Sequence, residues 1–178
     1  DQTLERVKKI GADYLQCSFR SVGQSRDLGI RYLLAQGCDW IGCTDADSQV
    51  STDWFAAMLP AEADFICGVV ELCGHDHFSA YALAEYRRHY QDKMGHRHIH
   101  GANLCFKASA YSRIGGFQAL SCHEDVDLIL RAEEAGCEIL LTNQLRVRTS
   151  CRMQSRVSDG FSQFLRKLEE DAKRLKEF

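Results

Sequence analysis

The chain is 178 residues long, 45% hydrophobic and 26% charged, enough apolar material for one buried core in an ordinary soluble domain. Its formal net charge of -3 excludes the basic field that a general nucleic-acid binder needs. No apolar run approaches the roughly 20 residues of a membrane span, and the opening Asp1-Gln2-Thr3 carries no secretory pattern, so a cytoplasmic protein is expected.

Leu4, Val7 and Ile10 recur at helical spacing with Glu5, Lys8 and Lys9 outside, so residues 3–10 read as an amphipathic helix stopped by Gly11. Residues 14–17 read as a short strand. After Gly23 a helix is expected over 24–36, closed by Gly37, with Ile30, Leu33 and Leu34 on its buried stripe. Arg26 lies four residues before Ile30 and seven before Leu33, so it shares that inward stripe. There it suits a diphosphate or base contact, or a surface role in which its stem covers apolar area; both stay open.

The next strand, 39–44, is apolar and ends in Asp45-Ala46-Asp47. An extended chain alternates its faces, which puts both carboxylates on one side, roughly 7 Å apart. Like charges that close repel unless a cation joins them. Hard oxygens at a strand end suit Mg²⁺ or Mn²⁺ with positions left for phosphate oxygens, and ligands of open α/β sheets bind beyond the carboxyl ends of strands. A solvated turn is the plainer alternative. Ser51-Thr52-Asp53 then caps a helix ended by Pro60, the only proline. A buried strand at 64–70 and a helix at 79–93 follow. This alternation implies right-handed crossovers and a mostly parallel sheet with helices on both faces. No repeat or linker interrupts it, so residues 1–178 read as one domain.

Beyond His100-Gly101-Ala102-Asn103 come a strand at 104–106, a short helix at 107–113 and a tight turn at Ile114-Gly115-Gly116-Phe117. A helix capped by Ser121 or His123 then runs to Gly136, and two acids in its first turn suit the helix dipole. On the helical wheel Asp125 lines up with apolar Leu128, Ile129 and Ala132, and Glu124 with polar Asp127 and Arg131. Asp125 is therefore expected to point into the domain, where desolvation raises a carboxyl pKa toward that of a general base. Asp127 and Arg131 read as an exposed i,i+4 pair worth little. After strands at 138–141 and 145–149, Arg146, Arg148, Arg152 and Arg156 gather with no acid until Asp159, suiting a leaving diphosphate or a solvated loop. A last helix, 161–178, is expected to bury Phe161, Phe164, Leu165 and Leu168.

Nine cysteines, odd in number and mostly in apolar contexts, fit reduced buried thiols better than a disulfide framework. Cys67, Cys73, His75 and His77 compose a zinc site on paper, but their spacing is not that of a zinc finger and Cys67 lies inside an apolar run. His96, His98 and His100 alternate along what reads as a wet edge.

Three stretches together resemble the family 2 glycosyltransferases of the GT-A fold. They are Ser25-Arg26-Asp27-Leu28-Gly29-Ile30; Thr44-Asp45-Ala46-Asp47 after an apolar strand; and Gly101-Ala102-Asn103 with Gly115-Gly116-Phe117 and Glu124-Asp125-Val126-Asp127-Leu128. The resemblance runs from residue 1 to about 160. It implies a Rossmann-like α/β fold with the remainder of a nucleotide and metal half in 1–100, an acceptor and catalytic half in 101–160, and a C-terminal helix in 161–178. It implies that Asp45 and Asp47 hold Mg²⁺ or Mn²⁺ against the donor's diphosphate, in a Lewis-acid role. Asp125, in a Glu-Asp motif with Glu124, would take the proton from an acceptor hydroxyl for in-line attack with inversion. Arg26 would lie near the nucleotide, Gly101 and Asn103 would line the sugar and acceptor side, and Arg152 would belong to the donor site.

The implied donor is a nucleotide-diphospho-sugar, with a UDP-sugar favoured; the acceptor is an unspecified hydroxyl compound, and a homo-oligomer is open. The family begins with a strand, a helix and a second strand that have no counterpart here. An N-terminally incomplete domain with uncovered sheet edges and apolar faces is therefore expected. No histidine follows His123 to serve as a late third metal ligand. The Gln-X-X-Arg-Trp motif of processive members is absent, which favours single transfer. Two other readings stand beside this one. A sugar nucleotidyltransferase would want a Gly-rich loop bearing Arg and Lys after its first strand; a truncated binding or assembly domain would be non-catalytic. Sugar, base and acceptor are not legible, because specificity rests on a few contacts that spacing does not reveal.

Overall fold

The computed structural model describes residues 2–59, 62–74, 78–151 and 161–174. In chain order the elements are α1 (Thr3–Ile10), α2 (Val22–Ala35), β1 (Trp40–Cys43), β2 (Ser48–Val50), α3 (Trp54–Met58), β3 (Phe65–Cys73), α4 (Ala80–His89), β4 (Leu104–Lys107), α5 (Ala108–Arg113), α6 (Glu124–Glu134), β5 (Ile139–Ser150) and α7 (Phe161–Arg174). A single 3₁₀ turn, Gly101–Asn103, precedes β4.

The strands form one sheet in the order β1-β4-β3-β5-β2. Only β3 and β5 pair in parallel; β4 runs antiparallel between β1 and β3, and β2 antiparallel outside β5. The expected mostly parallel sheet is therefore corrected to a mixed one. Alternating helices and strands report how many elements there are, not their direction, and after α4 the chain enters the middle of the sheet against its neighbours. The two strands expected at 138–141 and 145–149 are one strand, β5, whose register against β3 shifts between Cys67 and Val69. Gly68 sits at that shift because a Cβ there would meet Asn103 Nδ2 at 2.1 Å and the Leu145 carbonyl at 2.5 Å.

Alternate strand residues supply two cores. Ile41, Cys43, Phe65, Cys67, Leu104 and Phe106 face α2, α5 and α6, meeting Ile30, Tyr111, Leu128 and Ile129. Ile66, Cys105 and Val147 face α3, where Trp54 and Met58 close the opposite side. Beside them α4 and α7 pack through Ala82, Tyr86 and Leu165 onto Leu72. The buried Glu169 carboxylate of α7 accepts the backbone N–H of Ser79 at the start of α4, and the Ser79 hydroxyl caps Ala82 N–H at 3.1 Å.

Several local expectations shift. Residues 14–17 form no strand, and Tyr14 and Leu15 are exposed. α1 ends at Gly11 in the left-handed region as expected, but it buries no residue. α2 starts at Val22 because Ser21 accepts Gln24 N–H, and its Leu33 is exposed rather than buried. In α7 Leu165 is buried while Phe164 is 42% exposed; the Phe161 side chain lies outside the described residues.

None of the nine cysteines forms a disulfide. Burial pushes the Cys43 thiol up to about 11 and that of Cys67 up to about 12. His75 and His77 lie outside the described residues, Cys67 is fully buried in the core, and no cluster of three metal-binding side chains occurs among the described residues. No helix among them is long and apolar enough to cross a membrane.

The histidine segment is not a wet edge. His96 is fully buried, donating from Nε2 to the Thr142 carbonyl at 3.2 Å and accepting His98 N–H on Nδ1 at 3.1 Å. Tyr86, Tyr90, His98 and His100 continue as a stack of rings, with Tyr90 and His98 4.2 Å apart and parallel. Alternation put the imidazoles on one side, and tyrosines from α4 and its end covered that side.

Candidate functional site

β1 ends at Cys43, and a tight turn closed by Ser48 N–H on the Asp45 carbonyl at 3.0 Å leads straight into β2. Asp45 and Asp47 thus occupy a turn, not the continuing strand that the alternation argument assumed. From the far side, Ser150 N–H donates to the Asp47 carbonyl at 3.2 Å, and the Ser48 and Thr149 hydroxyls pair at 2.9 Å. The turn lies at the carboxyl end of β1, where ligands of open α/β sheets bind.

Arg26, from the first turns of α2, bridges this turn to α6. Its Nη2 donates to Asp45 Oδ1 at 2.6 Å and its Nη1 to Glu124 Oε1 at 2.7 Å. The Arg26 and Glu124 side chains are 15% and 12% exposed, and Asp45 is 45% exposed. Burial alone would lower the Arg26 pKa; Asp45 foremost, followed by Cys43 and Glu124, more than offsets it and raises the pKa, holding the guanidinium charged. The Phe117 ring centroid lies 5.8 Å from the guanidinium carbon. Gly101 is required by this close approach, since a Cβ there would stand 2.1 Å from Arg26 Nη1.

Asp125 is gripped by backbone. Gly101 N–H donates to Oδ2 at 2.7 Å and Val126 N–H to Oδ1 at 2.9 Å. The helical wheel sent Asp125 inward and Glu124 outward, yet Glu124 is the buried one, at 9% exposure, and both carboxylates face the site. The wheel describes the body of a helix, whereas these acids sit on its first two residues. There Gly23 lets α2 approach so closely that a Cβ on it would be 3.1 Å from Glu124 Cβ. Neither Ser121 nor His123 caps α6 with its side chain; His123 holds the N-cap position with a left-handed φ of 58°.

A supporting layer escaped sequence reasoning. Tyr111 Oη donates to Asp27 Oδ1 at 2.8 Å and accepts Phe117 N–H at 2.9 Å, fixing the glycine turn under Arg26. Arg131 pairs with Asp127 as expected, but half-buried, and it also donates to the Ile114 and Gly116 carbonyls at 2.7 and 2.8 Å. It therefore ties that turn to α6 instead of decorating the surface. The proximity of Asp127 and Arg131 was visible in the spacing; their use of the turn's carbonyls was not.

Asn103 and Arg146 have partners of their own. Asn103 is fully buried, donating to the Val69 and Leu145 carbonyls at 2.8 and 2.9 Å and accepting Trp54 Nε1–H at 3.0 Å. Its side chain brackets the β3–β5 shift. Arg146 forks onto Asp92 with two bonds of 2.8 Å, so it is no loose counter-charge for a diphosphate. Arg152 and Arg156 lie outside the described residues.

The metal expectation can be tested on the chemistry of the donor set. Asp45 and Asp47 present hard oxygens from one short turn, and Asp45 is half open to solvent with only one oxygen held by Arg26. Two carboxylates with phosphate and water completing the shell is a fit for Mg²⁺ or Mn²⁺.

No family model matches this sequence, and no curated protein matches it. Among solved structures, the chain is similar to S. aureus TarS 1-349 in complex with UDP-GlcNAc, at 14% identity and a TM-score of 0.61, over 90% of this chain and 49% of that one. It is similar to GalNAc-T7 with UDP, GalNAc and Mn²⁺ at 10% identity and a TM-score of 0.61, over 84% of this chain and 35% of that one. The mannosyltransferase PcManGT from Pyrobaculum calidifontis in complex with GDP-Man and Mn²⁺ matches at 16% identity and a TM-score of 0.59, over 99% and 52%. The chain thus spans about half the length of these neighbours or less. Shape, not sequence identity, carries the likeness, and the fold that this α/β chain shares with them is the GT-A glycosyltransferase fold.

Proposed function

We propose that the chain is a metal-dependent, inverting glycosyltransferase domain that moves a sugar from a nucleotide-diphospho-sugar to an acceptor hydroxyl. The observation that carries this reading is the Arg26 bridge. It gathers Asp45 from the β1 turn and Glu124 from α6, beside Gly101 and the Asp125 that Gly101 holds. The UDP-GlcNAc and GDP-Man bound by two structural neighbours, and the Mn²⁺ bound by two, support the same donor class.

In this reading Asp45 and Asp47 hold Mg²⁺ or Mn²⁺, which supplies Lewis-acid stabilisation of the leaving diphosphate. Arg26, kept charged by Asp45 and Glu124, offers a second positive group to the same diphosphate. Asp125 accepts the proton of the acceptor hydroxyl as that oxygen attacks the anomeric carbon in line. The two backbone bonds orient its carboxylate and leave lone pairs for the hydroxyl. The diphosphate departs from the opposite face, so configuration inverts. Nine cysteines without a disulfide fit a reducing compartment, and we place the reaction in the cytoplasm.

The test is calorimetric titration of UDP, GDP and dTDP, with and without Mn²⁺, into the wild-type chain and the Asp45→Asn/Asp47→Asn double variant. One diphosphate should bind only with Mn²⁺ and weaken at least about tenfold in the double variant. Equal binding by both proteins would leave the acids as a plain turn. Asp125→Asn should spare diphosphate binding and slow transfer by about 10²–10⁴; undiminished transfer would remove Asp125 as base.

A further inference from the structure

His100 immediately precedes the glycine that grips the candidate base. It caps the 3₁₀ turn Gly101–Asn103 with φ -134° and ψ 115°, and its carbonyl accepts Asn103 N–H at 2.9 Å. The peptide unit joining His100 to Gly101 is rigid and trans, so its carbonyl and the Gly101 N–H point in opposite directions and turn together. That N–H donates to Asp125 Oδ2 at 2.7 Å. Rotation about the His100 ψ bond swings it off the carboxylate, since hydrogen bonds weaken steeply away from linearity.

The His100 side chain anchors this peptide to β3. Val70 N–H donates to Tyr90 Oη at 2.7 Å, and the same oxygen lies 3.2 Å from His100 Nε2. Because the oxygen accepts from Val70, the phenol's own proton is directed at Nε2, and the imidazole carries its proton on Nδ1. Both charge states agree with this. Burial pushes the Tyr90 phenol up to about 12, and burial with His98 and His96 nearby holds His100 down at about 3. The rings also stack, Tyr90 lying 4.2 Å from His98 and 5.8 Å from His100. At the other end of the turn, Asn103 Nδ2 donates to the Val69 carbonyl at 2.8 Å. Both ends of the turn are therefore tied to consecutive residues of β3, beside its register shift.

We propose that Tyr90 and His100 are positioning residues for the candidate base: a hydrogen bond from Tyr90 Oη to His100 Nε2 fixes the peptide plane that aims Gly101 N–H at Asp125. This rests on the transferase reading, which is what makes Asp125 the base. Their effect reaches Asp125 through Gly101 and not through a proton of their own. Gly101 holds Oδ2 from a distant part of the chain, whereas Val126 N–H holds Oδ1 from the adjoining residue of the same helix. Without the distant anchor the carboxylate turns with its own side chain. A misplacement of about 1 Å costs a reacting group on the order of 10²-fold.

The experiment is ¹H–¹⁵N NMR on the full chain. Long-range ring spectra report the His100 tautomer, and the Gly101 amide proton reports its bond to Asp125. The proteins are the wild type, Tyr90→Phe, His100→Ala, His100→Gln and, as the reference for a lost acceptor charge, Asp125→Asn. In the wild type His100 should carry its proton on Nδ1, and the Gly101 amide proton should lie far downfield. Tyr90→Phe, which keeps the stacking ring, and His100→Ala should each move that proton toward its position in Asp125→Asn. Its exchange with solvent should quicken at least about tenfold. His100→Gln, whose side-chain carbonyl accepts the phenol proton, should restore most of the shift. A Gly101 signal unmoved in Tyr90→Phe and His100→Ala overturns the proposal, as does a wild-type His100 protonated on Nε2. Changes that spread over the amides of β1 and β4 without rescue by glutamine overturn it too, because they mark a merely structural role. UDP and GDP are titrated with Mn²⁺ into the wild-type chain in parallel. Binding of neither would defeat the transferase reading, and with it the base to be positioned, whatever Gly101 shows.

Discussion

A single guanidinium decides the electrostatics of the candidate site. Arg26 satisfies Asp45, which is half open to water, and Glu124, which is not. Removing it leaves Glu124 as a nearly buried carboxylate without its cation, a change that costs about 1–3 kcal/mol. Arg26→Ala should therefore lower the urea-unfolding free energy by that amount, and Glu124→Gln in the same background should restore part of it. An Arg26→Ala chain as stable as the wild type would mean that the bridge is slack. Gly101→Ala tests the same contact from the backbone side. The new methyl would collide with a guanidinium pinned by two ion pairs, so Arg26 must leave Asp45 or Glu124. Diphosphate binding with Mn²⁺ should weaken about tenfold, equivalent to ~1.4 kcal/mol, and unchanged binding would show that Arg26 does not serve the donor. Spacing alone marked Arg26 and Asp125 as inward-facing. It could not show Glu124 turning inward as well, because a heptad or wheel identifies the face of an isolated helix and not what its first turn meets.

At the scale of elements, short polar brackets hold the sheet where its ladder is irregular. Asn103 ties α3, β3 and β5 through three bonds; truncating it leaves the Trp54 indole N–H and two strand carbonyls unpaired in the core. Asn103→Ala should cost about 2–4 kcal/mol in urea unfolding and leave UDP·Mn²⁺ affinity unchanged. A loss of affinity at unchanged stability would instead support a place for Asn103 in the donor site. The histidine stack between α4 and β4 makes stability depend on pH. Burial, with His98 and His96 nearby, holds His100 down at about 3, and burial also lowers His98. These folded-state values lie below the unfolded value of about 6.5, so the unfolded chain takes up protons first as pH falls. The contribution is complete above about pH 6.5 and declines from there toward about pH 3, by up to ~1.4 kcal/mol per pH unit for one group. Urea midpoints should fall from about pH 7 to about pH 5, and His100→Gln should flatten the fall; an equally steep fall in that variant would place the proton uptake elsewhere. Helices α1, α2 and α6 were legible because their apolar residues recur at one period and glycines follow them. The direction of β4, the union of two predicted strands into β5 and the three-residue β2 were not, since all three are set by partners distant in the chain.

Among the described residues the molecule is an α/β sheet covered on both faces, with β1 and β2 as its edge strands. β1 ends the sheet, and its outer edge has no strand partner among the described residues. The segment before α2, of which residues 14–17 were expected as a strand, forms no regular element and is exposed, with Tyr14 at 46%, Leu15 at 47% and Phe19 at 46% exposure. Ile10 is 76% exposed, and α2 shows Tyr32 and Leu33 to solvent. The exposed apolar residues here accord with the uncovered apolar faces expected from the sequence, while the strand expected at 14–17 does not form. Unpaired backbone on an edge strand is a template for another strand, and contiguous apolar surface favours association. With a net charge of only -3, repulsion between copies is weak. The chain should therefore self-associate reversibly, its sedimentation coefficient rising with concentration across the micromolar range. Leu15→Lys with Phe19→Asp should hold it at the monomer value without lowering the urea midpoint, because neither side chain is buried in the fold. If the wild-type chain sediments as a monomer throughout, the open edge and its apolar residues do not suffice to bring copies together.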